Sequence, residues 1–318
     1  MKMKRQCIAA VLVFSLITTA HALAPTFCIE PQVSVHIGHL GEHLYVNNTS
    51  VQNPQLSYLN WETHPLWTVG IYGRAELLHF FLDIHFDAGI PGTLGNMQDS
   101  DWFDLTNVKQ SFSEGTNNLL NAWYTDAQLG YEIILADWIS IAPTLGFSYH
   151  FISMTSPQGG TGSTDPNKSD GIVIPYDSDG AVICTTAQID YWRESIQMWL
   201  GIQSCFTITK WLSINAQASI APVSSLTSVD HHYNNGGLFF TDKPLGFFHA
   251  LCFATKAKFR LQKHFSLTLG ISYRTLFVIT GDTYTSRQEG YLGIKNTSNY
   301  SGASENDCTI AIGIAFTF

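Results

Sequence analysis

Apolar and polar residues alternate with a period of two along much of this chain. Between Phe80 and Ala88, Phe80, Leu82, Ile84, Phe86 and Ala88 occupy one face of an extended backbone, and Phe81, Asp83, His85 and Asp87 the other. The same pattern sets Ile139, Ile141, Leu145, Phe147, Tyr149 and Phe151 against Ser140, Thr144, Gly146, Ser148 and His150. It recurs around Ile214, from Phe265 to Tyr273, and in the final residues, where Ile310, Ile312, Ile314, Phe316 and Phe318 alternate with small or polar neighbours. A period of two predicts strands, and an apolar face repeated so often predicts that one side of every strand meets the same apolar medium.

The connections alternate too. Short turns are predicted at Leu77–His79, Ala136–Asp137, Thr209–Lys210 and Gln262–Lys263. Long polar connections rich in Gly, Ser, Asn and Asp are predicted at Gly92–Asn117, Ser156–Gly180, Ser228–Asp242 and Thr283–Asp307. Short turns at one end and long loops at the other are the mark of an outer-membrane barrel, and an amphipathic last strand closing on Phe318 resembles the assembly signal of such barrels. The expected fold class is all-β: a transmembrane, antiparallel, up-and-down β-barrel of about ten strands with long extracellular loops. Such a barrel has an interior that side chains and water can fill, with no wide pore. Lys256, Lys258 and Arg260 share one inward face and Asp83, His85 and Asp87 another, so these charges are expected to pair in the lumen.

Composition sharpens this picture. Lys2, Lys4 and Arg5, an apolar run from Ile8 to Ile17 and Ala20-His21-Ala22 read as a signal peptide over residues 1–22, leaving one domain over 23–318. Losing those three cations takes the formal charge from −9 to −12, which argues against a nucleic-acid partner. No apolar stretch after the leader is long enough for a membrane helix. Aromatic residues make up 13% of the chain and charged residues only 13%, little for a fully solvated surface. Cys28, Cys184, Cys205, Cys252 and Cys308 are scattered, without CxxC or zinc spacing, so a disulfide is open but no framework is implied.

Two short constellations could carry chemistry. Asp99 and Asp101 point the same way in extended backbone. Two carboxylates so close cannot both ionise freely, and a proton shared between them could orient a water. A polar loop or a weak calcium site fits the same spacing. Asp230 and His232 also share a face, and a carboxylate beside an imidazole makes a general base near neutral pH. A solvated loop, or a metal pair of His231 and His232, fits that spacing equally. Both constellations are expected at the loop end of the barrel. Together they could activate one water, with no covalent intermediate. No G-x-S-x-G motif offers a rival nucleophile.

These segments resemble the omptin family of outer-membrane endopeptidases. Asn96-Met97-Gln98-Asp99-Ser100-Asp101-Trp102-Phe103-Asp104 is similar to the family's N-M-x-D-x-D-W-M-D, and Asp230-His231-His232-Tyr233 to its D-E-H-Y. The resemblance implies a ten-stranded barrel in which Asp99 and Asp101 form the catalytic aspartate pair, Asp230 and His232 the dyad, and His231 is a bystander. Glu42-His43-Leu44-Tyr45 resembles the stretch that carries a substrate-binding glutamate, here Glu42. Members that cut after basic residues have an acid two positions before the dyad aspartate. Ser228 stands there, so a basic preference rests on Glu42 alone. The family's G-Y-Q-E-[ST]-R stretch appears as Gly146-Phe147-Ser148-Tyr149-His150-Phe151, without its acid and arginine.

The expected activity is hydrolysis of exposed peptide bonds at the outer surface by a monomer. Its partners would be peptide or protein substrates and outer-membrane lipid, lipopolysaccharide among it, and neither a metal nor an organic cofactor is expected. A non-enzymatic adhesin or binding barrel is the main alternative; a small channel and a lipid-modifying enzyme are weaker ones.

Overall fold

The computed structural model describes residues 25–48, 50, 54–102, 105, 107–157, 161–164, 182–185, 188–233 and 236–318. The expected leader over residues 1–22 lies outside the described residues, as do Phe103, Asp104 and most of the stretch from Ser156 to Gly180. The strands in chain order are β1 (Thr26–Val46), β2 (Gln55–Glu62), β3 (Leu66–Leu77), β4 (Phe80–Gly89), β5 (Gly92–Asp101), β6 (Ser111–Tyr131), β7 (Ile133–Ala136) and β8 (Ile139–Ser156). They continue as β9 (Thr161–Thr164), β10 (Val182–Thr185), β11 (Ile189–Thr207), β12 (Leu212–His232), β13 (Leu238–Gly246), β14 (Ala250–Gln262), β15 (Phe265–Ser286) and β16 (Ile294–Thr317).

Hydrogen bonding closes these strands into a ring. β1 pairs with β3 and, higher up, with β2; β3 pairs with β4 and β2 with β5; both β4 and β5 pair with β6. The ring runs on through β8, β11 and β12. It then passes through β14 below and β13 above to β15 and β16, and returns to β1. Counting β2 with β3, β4 with β5 and β13 with β14 as single staves, the described residues form ten antiparallel positions. Two of the three interruptions fall at Pro65 and Pro91, which have no N–H to give to a ladder. The third lies between Phe247 and His249, where Phe248 has φ 60°.

The alternation read from the sequence is the wall of this barrel. Phe27, Ile29, Val33 and Ile37 on β1, Trp67 to Leu77 on β3, and Ile310 to Phe316 on β16 put their large side chains on the outside. On β1 this apolar belt runs from Phe27 to Ile37. At about 3.3 Å per residue and a tilt of about 40°, that rise of about 25 Å fits a hydrocarbon layer. Glu30, Gln32, Ser34 and His36 on the same strand are buried inside.

The inner charges pair, but with other partners than expected. Lys256 reaches Glu30 at 3.0 Å, Arg74 reaches Asp83 at 3.4 Å, and Arg274 reaches Asp126 at 3.1 Å. His85 lies between Asp87 and Asp126. Above this network an apolar floor crosses the lumen, with Trp61 of β2 stacked on Tyr191 of β11 at 5.0 Å and packed among Leu59, Leu94, Met97, Met154 and Ile189.

The predicted turns fall where expected, between β3 and β4, β7 and β8, β11 and β12, and β14 and β15. The long polar connections differ from expectation. Much of Gly92–Asn117, Ser228–Asp242 and Thr283–Asp307 is strand, continuing the wall upward beyond the belt. The candidate residues therefore sit on paired strands.

Candidate active site

The site is built on the upper ends of β1, β2, β5, β11, β12 and β13, above the apolar belt. On β5, Met97, Asp99 and Asp101 follow one another on the inner face, and Met97 is anchored in the apolar floor. The Cα partner of Asp99 on β2 is Leu59, and Ser57 one step higher donates its hydroxyl to Asp99 Oδ1 at 3.3 Å. The carbonyl of Asp101 accepts the Gln110 N–H at 2.9 Å, which closes the top of the β5–β6 hairpin.

Across the mouth, β12 carries Asp230 and His232 on its inner face. Asp230 is buried, with Cα partners Tyr191 on β11 and Phe240 on β13. Its Oδ2 lies 2.5 Å from His232 Nε2, and Phe240 meets the imidazole edge-on at 5.5 Å. His231 turns the other way and stacks on Phe239 at 3.9 Å. A metal pair of His231 and His232 is thereby ruled out, since the two rings leave opposite faces of one strand. Among the described residues no three of His, Cys, Asp and Glu lie close enough to share a metal ion.

The two pairs sense one another electrostatically. Burial and the charge of Asp101 push the Asp99 carboxyl up to about 8, against the opposing pull of His232. Burial draws the His232 imidazolium down, yet Asp230, Asp99 and Asp101 hold it up at about 9. Among the described residues no hydrogen bond or ion pair joins Asp99 directly to His232, so their coupling acts across a gap between β5 and β12. The structure thus brings Asp99, Asp101, Asp230 and His232 within electrostatic reach of each other.

Glu42 points inward from β1 beside this group and is buried. Two further residues here escaped the sequence reading. Asp242 on β13 is directly opposite Ser228 and is also buried. It exchanges a side-chain hydrogen bond with Glu42. Arg193 on β11, 2% exposed, donates to the Tyr191 hydroxyl at 2.7 Å and to the carbonyls of Ser304 and Gly41 at 2.9 and 2.8 Å. Burial and the charges of Asp230 and Asp242 raise Glu42 well above the usual carboxylate range, with Arg193 acting in the opposite sense. Neither Asp242 nor Arg193 has a motif of its own. Only the strand register, which the sequence does not reveal, brings them to Glu42.

With this geometry in view, the chain can be compared with known proteins. The sequence profile described as the omptin family matches residues 26–318. The crystal structure of the outer membrane protease OmpT from Escherichia coli superposes with a TM-score of 0.78 at 14% identity, covering 92% of this chain and 97% of that one. The translocator domain of the autotransporter NalP from Neisseria meningitidis gives a TM-score of 0.35 at 7% identity, covering 98% and 96%. No curated protein matches in sequence.

Proposed function

Because this chain belongs to the omptin family and shares its fold with an outer membrane protease, we propose that it is an outer-membrane endopeptidase whose site faces the cell exterior. The observation that carries this reading is the Asp230–His232 pair in hydrogen-bond contact on the inner face of β12, at the same end of the barrel as Asp99 and Asp101 on β5. A water between the strands would be held on one side by the Asp99–Asp101 pair, which keeps a proton, and on the other by the imidazole. His232 takes the water's proton as the oxygen attacks the scissile carbonyl. Asp230 fixes the ring and stabilises the imidazolium. The imidazolium then returns that proton to the leaving amine, so no acyl-enzyme forms. General-base assistance of this kind supplies ~10²–10⁴ in rate. Exposed peptides and proteins are the substrates, and Glu42 contacts them beside the reacting bond.

The test is cleavage of a peptide library by the folded chain. Asp99→Ala and His232→Ala each abolish cleavage while the barrel keeps its heat-modifiable gel migration. Cleavage retained by both variants contradicts the site. A folded wild-type chain that yields no products in lipid or detergent contradicts the enzyme reading and leaves the adhesin alternative.

A further inference from the structure

Beneath the apolar floor the lumen holds a cavity of about 470 Å³, which reaches the short-turn end of the barrel at Thr26, Arg260 and Thr317. Its size lies within the ~300–1,000 Å³ usual for small-molecule sites. Most of the charges that line it have partners. Glu30 holds Lys256 and the Thr268 hydroxyl, Arg74 holds Glu76 and Asp83, and Arg274 holds Asp126. Glu132 accepts the Ser140 hydroxyl. Two cations remain. Lys258 and Arg260 line the cavity from β14, and among the described residues neither side chain has a hydrogen bond or an ion pair. Of the three inward cations of β14, Lys256 alone reaches a carboxylate.

Two steps along one strand set the Lys258 and Arg260 Cα atoms about 6.7 Å apart, so their long side chains can converge on a single anion. A guanidinium offers a fork of donors and an ammonium a point charge, a combination that suits the double charge and spread oxygens of phosphate. Ser213 and Asn215 of β12, across the ladder from Lys258 and Lys256, line the same wall and add donors. Four residues beyond Ser213, about 13 Å up the strand, the lining is polar and uncharged. There Gln217 donates to Gln128 at 2.7 Å and to Ser219 at 3.0 Å. Its Cα partner Gln203 has a buried Oε1 with no hydrogen-bond partner among the described residues. A buried acceptor left unmet is costly, and a hydroxyl group would satisfy it. A bare phosphate ion leaves Gln203 unmet, and a neutral polyol leaves the two cations unmet.

We propose that the lower lumen is a binding site for a phosphorylated polyol, whose phosphate is held by Lys258 and Arg260 and whose hydroxyl is held by Gln203. The ligand enters from the short-turn end. Under the reading of an outward-facing endopeptidase that end opens to the periplasm, where the group arrives either as a soluble polyol phosphate or as the glycerol phosphate headgroup of a lipid. The chemistry of the site does not depend on that reading. The floor of Trp61, Met97 and Tyr191 lies between this cavity and the Asp99 and His232 side chains, so the two sites are separate.

The test uses the folded full chain, first in a polyoxyethylene detergent and then in lipid nanodiscs. Calorimetry compares sn-glycerol 3-phosphate, doubly ionised, with glycerol and with inorganic phosphate. Glycerol phosphate binds, inorganic phosphate binds several-fold more weakly, and glycerol does not bind measurably. Lys258→Gln and Arg260→Gln each weaken glycerol phosphate at least about tenfold, as expected for loss of a hydrogen bond to a charged group. Gln203→Leu brings it down to the level of inorganic phosphate. In nanodiscs of phosphatidylcholine this binding persists. Adding phosphatidylglycerol to the discs competes with it if a lipid headgroup is the natural occupant, and leaves it unchanged if the occupant is soluble. Glycerol phosphate that fails to bind the wild-type chain, or that binds equally well once Lys258→Gln and Arg260→Gln are combined, overturns the site. Inorganic phosphate as tight as glycerol phosphate overturns the polyol half of the proposal.

Discussion

His232 is pulled in two directions. Burial disfavours its charge, while Asp230 at 2.5 Å and the carboxyl pair across the gap favour it, and the balance leaves the imidazolium stable up to about pH 9. A base must be unprotonated to act, so the fraction ready for catalysis grows as pH rises through that value. Asp99 loses its own proton near 8, so the groups titrate together and the rate reports them jointly. The working form keeps the Asp99 proton while His232 is neutral, so the expected pH profile of kcat/KM is a bell whose falling limb lies above about 9 and whose rising limb lies below about 8. Asp230→Asn removes the nearest negative charge. It should shift the bell to lower pH and lower kcat by ~10²–10⁴. A bell that Asp230→Asn does not move would count against His232 as the base.

At the scale of strands, the catalytic candidates were legible because they obey the period of two. Asp99 with Asp101 and Asp230 with His232 share faces in any extended backbone. The stretches that carry them read as loops in the sequence for a physical reason. Above the belt neither side of the wall meets lipid, so Ser111–Asn118 and Ser301–Asp307 show no apolar stripe although their backbones are paired. Register was illegible for a related reason. Polar strands can slide without exposing a hydrophobic face, so nothing local announces that Asp242 stands opposite Ser228 or that Arg193 reaches Gly41 and Ser304.

Arg193 ties β11 to β1 and β16. Replacing it with Met leaves two carbonyls without their donors and removes a cation from an acidic cluster, an expected loss of about 3–5 kcal/mol for a broken buried charge contact. Hydrogen exchange at the upper amides of β1 and β16 should rise, and unchanged protection would show that the tie is idle. At the opposite end, Leu78 and His79 both hold positive φ, 53° and 72°, in the turn between β3 and β4. That turn suits Asn-Gly. The exchange of Leu78-His79 for Asn-Gly should raise resistance to urea by about 1–2 kcal/mol, given the cost of left-handed backbone for L-residues. No gain in urea midpoint would contradict the turn geometry.

For the whole molecule, the lipid-facing belt and the polar lumen are both written in the alternation, while the partners inside the lumen depend on which staves face one another. Ile71 lies at mid-height on the outer face of β3 and is half exposed. Ile71→Arg should cost about 2–4 kcal/mol in urea-dependent folding into liposomes, as for a cation at the bilayer midplane. A negligible effect would place that face away from lipid. The closed ring also explains how residues 133 positions apart in sequence, Asp99 and His232, can act together: rigid paired strands hold them above a packed floor.

Joint action of those two residues is the most exposed part of the account, and a double-mutant cycle measures it. Single-turnover cleavage rates would be compared for Asp99→Ala, His232→Ala and the doubly substituted chain, all folded. Groups that serve one water fail together, so either change alone should remove almost the whole rate and the second should add little. Losses that multiply in the double variant would mean that the two strands contribute independently, and the shared-water mechanism would be wrong.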